Sequence, residues 1–146
     1  MPIHVELVAQ ERKIFEEPEA DIVIVPAIEG EMGILPRHAP VLTTLGFGEM
    51  VVRKGNAEER FAIYGGVVDV RPDKVVVLAD TAENEANINA EAAEQARKRA
   101  LELMASGVKE RNREAALELR KAELALKLSR KMQQSSVKLR ILSDEE

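Results

Sequence analysis

The sequence predicts an all-β sandwich or barrel over residues 1–86, followed by an antiparallel α-helical hairpin over residues 87–134 and an extended C-terminal arm over 135–146. Three observations divide the chain at the same place. All six prolines lie at or before Pro72, and seven of the eight glycines at or before Gly66, so backbone breaks crowd the first half. The apolar pattern changes there from short alternating or β-branched runs to a helical period. The charge also changes sign. Residues 1–86 carry 8 Lys/Arg against 16 Asp/Glu, a balance of −8, and residues 87–146 carry 13 against 10, a balance of +3.

Five short runs read as strands: His4–Val8, Asp21–Val25, Glu49–Arg53, Arg60–Tyr64 and Lys74–Leu78. Strands of this length between turn residues argue for a sandwich or barrel. Lys54-Gly55-Asn56 reads as a hairpin turn and Arg71-Pro72-Asp73 as another. Between these runs lies Gly30-Glu31-Met32-Gly33-Ile34-Leu35-Pro36-Arg37-His38-Ala39-Pro40. Two prolines and two glycines make a regular helix or a central strand untenable there, so it reads as a shaped loop. The loop would hold Met32, Ile34, Leu35 and His38 in set directions, with Ile34 expected to point inward.

From Asn89 onward there is no proline and one glycine, Gly107, and strong helix formers dominate. Asn89 is the expected N-cap of a first helix, Ala90 to Ala105, with Ile88 and Ala93 as a weak staple and Ser106-Gly107 as its end. A second helix is expected from Lys109 to Gln133. Ala92, Ala93, Ala96, Ala100, Leu103 and Met104 make one stripe on the first helix. At 100° per residue the second has two apolar faces, Ala115, Leu119, Ala122 and Leu126 on one side and Leu117, Leu124, Leu128 and Met132 roughly opposite. Either one face meets the first helix and the other rests on the β domain, or one face is reserved for another subunit or a second conformation. Arg113, Arg120, Lys127 and Lys131 form a basic stripe between them, which reads as a solvated face on its own. In the arm, Val137, Leu139 and Ile141 alternate with Lys138, Arg140 and Leu142 ahead of an acidic tip, Asp144-Glu145-Glu146.

Several functions lack their residues. No P-loop, dinucleotide fingerprint or G-x-S-x-G elbow is present. Glu31 and His38 flank one loop, but such a pair is more often structural than catalytic, so no catalytic residue is expected. There is no cysteine, and His4 and His38 have no metal-ligand spacing, so no metal is expected either. No basic cluster surrounds the few aromatics, which disfavours nucleic acid. No run approaches about 18 apolar residues and no secretory signal is seen, so the chain is expected not to insert in a membrane.

The Gly30–Pro40 run closely resembles a hallmark loop of the ε subunits of bacterial rotary (F-type) ATP synthases. Gly65–Glu83 and Lys121–Lys127 resemble further stretches of the same family, in the same order, and the resemblance runs from about Ile3 to Leu128. It implies a flattened β-sandwich of roughly 85 residues and a helical hairpin. It also implies a non-catalytic rotor subunit of a proton-translocating ATP synthase, peripheral on the cytoplasmic face of the cell membrane. Its partners would be the γ subunit, the c-ring and the catalytic α/β head. Glu31, Met32, Gly33 and His38 would face the ring. Arg113, Arg120, Lys127 and Lys131 would meet the head or γ when the hairpin extends to block ATP hydrolysis.

Some members bind ATP through an I/L-D-x-x-R-A motif. The matching residues here are Ile88, Asn89, Ala90, Glu91, Ala92 and Ala93, with Asn for Asp and Ala for Arg, so neither a bound cofactor nor ATP is expected. An ATP-sensing module and a generic sandwich-and-hairpin adaptor are the alternatives.

Overall fold

The computed structural model describes the backbone of residues 2–107 and 109–144, and side chains over 2–107 and 112–132. The chain forms two compact units, Met1–Asn84 and Glu85–Glu146.

The first unit is a β-sandwich of eight strands: β1 (Ile3–Ala9), β2 (Arg12–Ala20), β3 (Ile22–Ala27), β4 (Gly30–Ile34), β5 (Val41–Lys54), β6 (Ala57–Val70), β7 (Lys74–Ala79) and β8 (Ala82–Asn84). Their order is β2-β1-β7-β6-β5-β3-β4, with β8 pairing β6 outside that path. The first and seventh strands pair in parallel, Val5 opposite Val75 and Leu7 opposite Val77. Alternation along β1 turns Ile3, Val5, Leu7 and Ala9 into the core. There they join Val23, Val25, Ile34, Met50, Phe61, Ile63, Val68, Val70, Val75 and Val77.

The two longest strands, β5 and β6, each run 14 residues and serve both halves of the sandwich. Over Gly66–Val70, β6 pairs with β7; over Phe61–Ile63 it pairs with β8. The handover falls on Gly65 and Gly66, at φ +81 and +133. A Cβ on Gly66 would lie 2.2 Å from the Leu78 carbonyl oxygen, so only glycine fits this close approach. Asp80 N–H donates to the Gly65 carbonyl, and Tyr64 N–H to that of Thr81, each at 3.0 Å, closing the crossing.

Both expected turns are present. Gly55 takes φ +58 in the β5–β6 loop, where its N–H donates to the Asp21 carboxylate at 2.6 Å. Arg71 N–H donates to the Lys74 carbonyl at 2.8 Å. Three strands were not expected: β2, β4 and β8. The β1–β2 turn is made by Gln10 and Glu11, both at positive φ, a conformation these residue types rarely signal.

The second unit opens with a 3₁₀ turn, Glu85–Asn87, which packs against the second helix. Helix α1 runs from Ala90 to Ala105, as expected. Asn89 caps it, accepting from Ala92 N–H at 3.0 Å through Oδ1. Ser106 Oγ donates to the Leu103 carbonyl at the other end, and Gly107 follows at φ +77. Helix α2 runs from Lys109 to Asp144. Residues 135–144 are therefore helical, where an extended arm was expected. No Gly or Pro interrupts the run, and a solitary extended arm has no ladder partner for its backbone groups, whereas a helix satisfies them internally. Glu145 and Glu146 lie outside the described residues.

Ala100 on α1 and Ala115, Ala122, Ala125, Leu126 and Leu128 on α2 are buried. The four alanines among them leave room for the two helix backbones to approach. The covered residues of α2 come from both apolar faces, while Leu117 remains 46% exposed.

Candidate functional site

The expected loop is partly a strand. Residues 30–34 are β4, the outer strand of the sheet, paired to β3 with Met32 opposite Val25 and Glu31 opposite Pro26. The glycines and prolines exclude a central strand, but an edge strand needs only one row of hydrogen bonds. Its two-residue period sends Met32 and Ile34 inward, and Glu31 and Gly33 outward. Ile34 is fully buried as expected. Met32, expected to face the ring, is half-buried and packs on the core. Leu35, just past the strand, is the apolar residue on show, at 58% exposure.

Beyond β4 the chain turns sharply. Arg37 takes φ +68 and its N–H donates to the Pro72 carbonyl at 2.8 Å, tying this turn to the β6–β7 turn. His38 is half-buried, and its Nδ1–H donates to the Ala39 carbonyl at 2.8 Å. No hydrogen bond or ion pair joins Glu31 to His38 among the described residues.

A second surface went unnoticed in the sequence. On the outer face of the sheet, Leu42, Val67 and Leu78 are 71%, 36% and 47% exposed. Val67 pairs with Leu78 on one side and with Thr44 on the other, and Leu78 pairs with Val8. The result is an exposed apolar stripe on three adjacent strands, continued by the half-buried Val8 on β1. Ile28, whose N–H donates to the Thr44 carbonyl, adds a further exposed residue beside it. The signal was present in Val75-Val76-Val77-Leu78, which is apolar on both faces where a strand with one wet face should alternate.

Beside that stripe, Tyr64 and Glu83 are joined. Tyr64 Oη donates to Glu83 at 2.8 Å, and the ring meets Phe47 edge-on at 5.8 Å. Burial first, then the Glu83 hydrogen bond and charge, push the phenol well above its usual value.

In the helical unit, an open groove of about 630 Å³ is lined by Arg97, Glu123, Leu126, Lys127, Arg130 and Lys131. Lys127 and Lys131 of the basic stripe thus meet two further cations, Arg97 and Arg130, that were not assigned to it. Arg113 and Arg120 are exposed elsewhere on α2 and do not line the groove. Arg97 is held by Glu94, with Nη2 at 2.7 Å and Nε at 3.3 Å. That hydrogen bond holds the Glu94 carboxyl below its ordinary value. At the start of α1, the Asn89 side chain is engaged as the cap, Ala92 is exposed, Ala93 is half-buried, and Ile88 N–H donates to the Glu85 carbonyl.

The β-sandwich matches a family described as "ATP synthase, Delta/Epsilon chain, beta-sandwich domain" over residues 2–85. The chain belongs to the ATP synthase epsilon-chain family. The ATP synthase epsilon chain of Herpetosiphon aurantiacus is 43% identical over 127 residues, 87% of this chain and 88% of that one. That of Dehalococcoides mccartyi strain BAV1 is 43% identical over 133 residues, 88% and 93% respectively. In fold, the chain is similar to one in the cryo-EM structure of the Euglena gracilis mitochondrial ATP synthase, OSCP/F1/c-ring, with TM-score 0.67 and 22% identity over 92% of this chain and 81% of that one. A chain of the Tetrahymena thermophila central stalk/c-ring structure gives TM-score 0.62 at 14% identity, over 88% and 97%. Among the described residues, no helix is long and apolar enough to cross a membrane.

Proposed function

We propose that this chain is the non-catalytic central-stalk subunit of a rotary ATP synthase, joining a proton-driven c-ring to the catalytic head from the cytoplasmic face of the membrane. The observation that carries the reading is the joint match of sandwich and helices to epsilon chains at 43% identity across almost the whole length of both partners. The outer-face stripe of Leu42, Val67 and Leu78 is the surface that docks on γ, since an exposed apolar patch spanning three adjacent strands marks an interface more than an ordinary wet face does. Glu31, Gly33 and His38, with Leu35 beside them, face the c-ring, and Met32 supports this edge from beneath.

The C-terminal helices act as a brake on ATP hydrolysis. In an extended state, Arg113, Arg120, Lys127 and Lys131 meet acidic surface of the head. ATP is not a ligand of the isolated chain, because Asn89 is committed to the cap and Ala92 has no charge to offer a phosphate.

Cysteines at Glu31 and His38 test the ring assignment. Each is expected to cross-link to the polar loop of a c subunit and to impair proton-coupled synthesis while sparing hydrolysis by the detached head. Absence of cross-links at both positions in the intact complex would overturn it.

A further inference from the structure

We infer that His4, Glu6 and Glu16 form a surface site for a single divalent transition-metal ion of the zinc type, independent of the rotor role. His4 and Glu6 are two residues apart on β1 and so share its outward face. Glu16 sits on β2 directly opposite Glu6. Their nearest ligand atoms lie within 4.8 Å of one another. His4 Nε2 is 3.0 Å from Glu16 Oε1 and 3.6 Å from Glu6 Oε1. Tetrahedral zinc, with bonds of about 2.0 Å to nitrogen and oxygen, separates its ligands by about 3.3 Å. The two observed separations bracket that value, so small side-chain rotations complete three corners of a tetrahedron. The fourth corner faces solvent.

The chemistry of the donors selects the ion. One imidazole with two carboxylates suits zinc or cobalt, whereas magnesium and calcium favour oxygen throughout. Two carboxylates also balance the double charge of the ion. Without it, Lys13 and Lys74 supply the counter-charge: Lys13 Nζ pairs with both Glu16 and Glu6, and Lys74 Nζ lies 3.3 Å from Glu6 Oε1. Both lysines have long, partly exposed stems, so an ion displaces the ammonium groups into water rather than into the core. His4 then presents the Nε2 lone pair as its Nδ1–H tautomer. The ion would fasten β2, at one edge of the sheet, to β1. The absence of metal ligands expected from the sequence rested on the lack of cysteine and on the spacing of the two histidines; β2, which brings Glu16 to His4, had not been expected as a strand.

Cobalt(II) titration of the full chain, after chelator treatment, reads coordination through the visible d–d bands, and zinc calorimetry reads affinity. We expect saturation at one equivalent, with intense bands of a four-coordinate site. His4→Ala and Glu16→Gln should each weaken binding about 100-fold, at least what losing an outer-shell partner costs. Lys13→Met, which removes a competing ammonium, should tighten it, and His38→Ala should leave it unchanged. Zinc should raise the melting temperature of the native chain but not of His4→Ala. No saturable binding by the native chain, or binding that survives both His4→Ala and Glu16→Gln, overturns the site and leaves these residues as an ion-pair network.

Discussion

Tyr64 is the chain's one tyrosine, and no tryptophan is present, so its ionisation can be followed by ultraviolet absorbance without interference. The fold holds its proton more tightly than the unfolded chain, because burial and the Glu83 carboxylate both disfavour phenolate. A raised folded value means that the stabilisation is full below the unfolded value near pH 10 and is lost as pH rises through the folded one. Phenolate absorbance should therefore appear in denaturant at a pH where the native chain shows none, and Glu83→Gln should bring the native transition down. An unchanged transition in Glu83→Gln would assign the shift to burial alone. The Asn89 cap was legible in the sequence, from its place before an alanine-rich run. Asn89→Ala should cost the helical unit about 1 kcal/mol, measured as faster amide exchange in the first turn of α1. The direction of Met32 was not legible, because it depends on whether residues 30–34 pair with a neighbour, and no local pattern reports that.

At the level of elements, the helices were read more accurately than the strands. Asn89 and Gly107 punctuate α1 chemically, and both ends fell where expected. Strands β2 and β4 escaped because their stability lies in cross-strand pairing: Arg12–Ala20 holds few apolar residues, and β4 carries two glycines. The extension of α2 through residues 135–144 was missed because a short alternation looks like a strand until one asks what it would pair with.

Two glycines separate stability from docking. Gly66→Ala forces a Cβ into the Leu78 carbonyl at φ +133 and should cost about 2–4 kcal/mol, read as a lower denaturation midpoint. Gly33→Ala meets nothing closer than Ile22 Cδ1 at 3.9 Å and should change stability by less than about 1 kcal/mol. If Gly33→Ala nonetheless impairs coupled ATP synthesis in the assembled enzyme, contact with the ring is the remaining cause.

For the whole molecule, the boundary at Asn84–Glu85 makes a clean experiment. A chain ending at Asn84 keeps β8, and with it the partner of Phe61–Ile63 on β6. It should fold, assemble and support coupled synthesis, while ATP hydrolysis by the complex rises. Charge reversal of Arg113, Arg120 and Lys127 to Glu should reproduce that rise, and salt should weaken the native brake, because exposed charges beyond about 10 Å are screened at 0.1 M. Hydrolysis that stays level in both variants would return the basic stripe to a solvated face. Calorimetry with millimolar ATP should show no saturable heat. Binding abolished by Arg97→Ala or Lys127→Ala would instead mean that the cationic groove has replaced the lost motif. The two-unit plan and its charge division were visible in composition alone; the stripe of Leu42, Val67 and Leu78 was not, since only the sheet order brings those strands side by side.

The position of β4 at the end of the sheet carries a consequence for handling the free subunit. An outer strand leaves one row of amides and carbonyls without a neighbour, a template on which a second chain can add itself. Here that template is only five residues long, interrupted by glycine, marked by a carboxylate at Glu31, and followed closely by Pro36 and Pro40. Each of these discourages strand addition. Replacing Glu31 and Gly33 together by valine would lengthen the apolar, β-forming run and remove the charge. Such a variant should self-associate at concentrations where the native chain stays monodisperse, a difference that light scattering would register before any change in melting temperature.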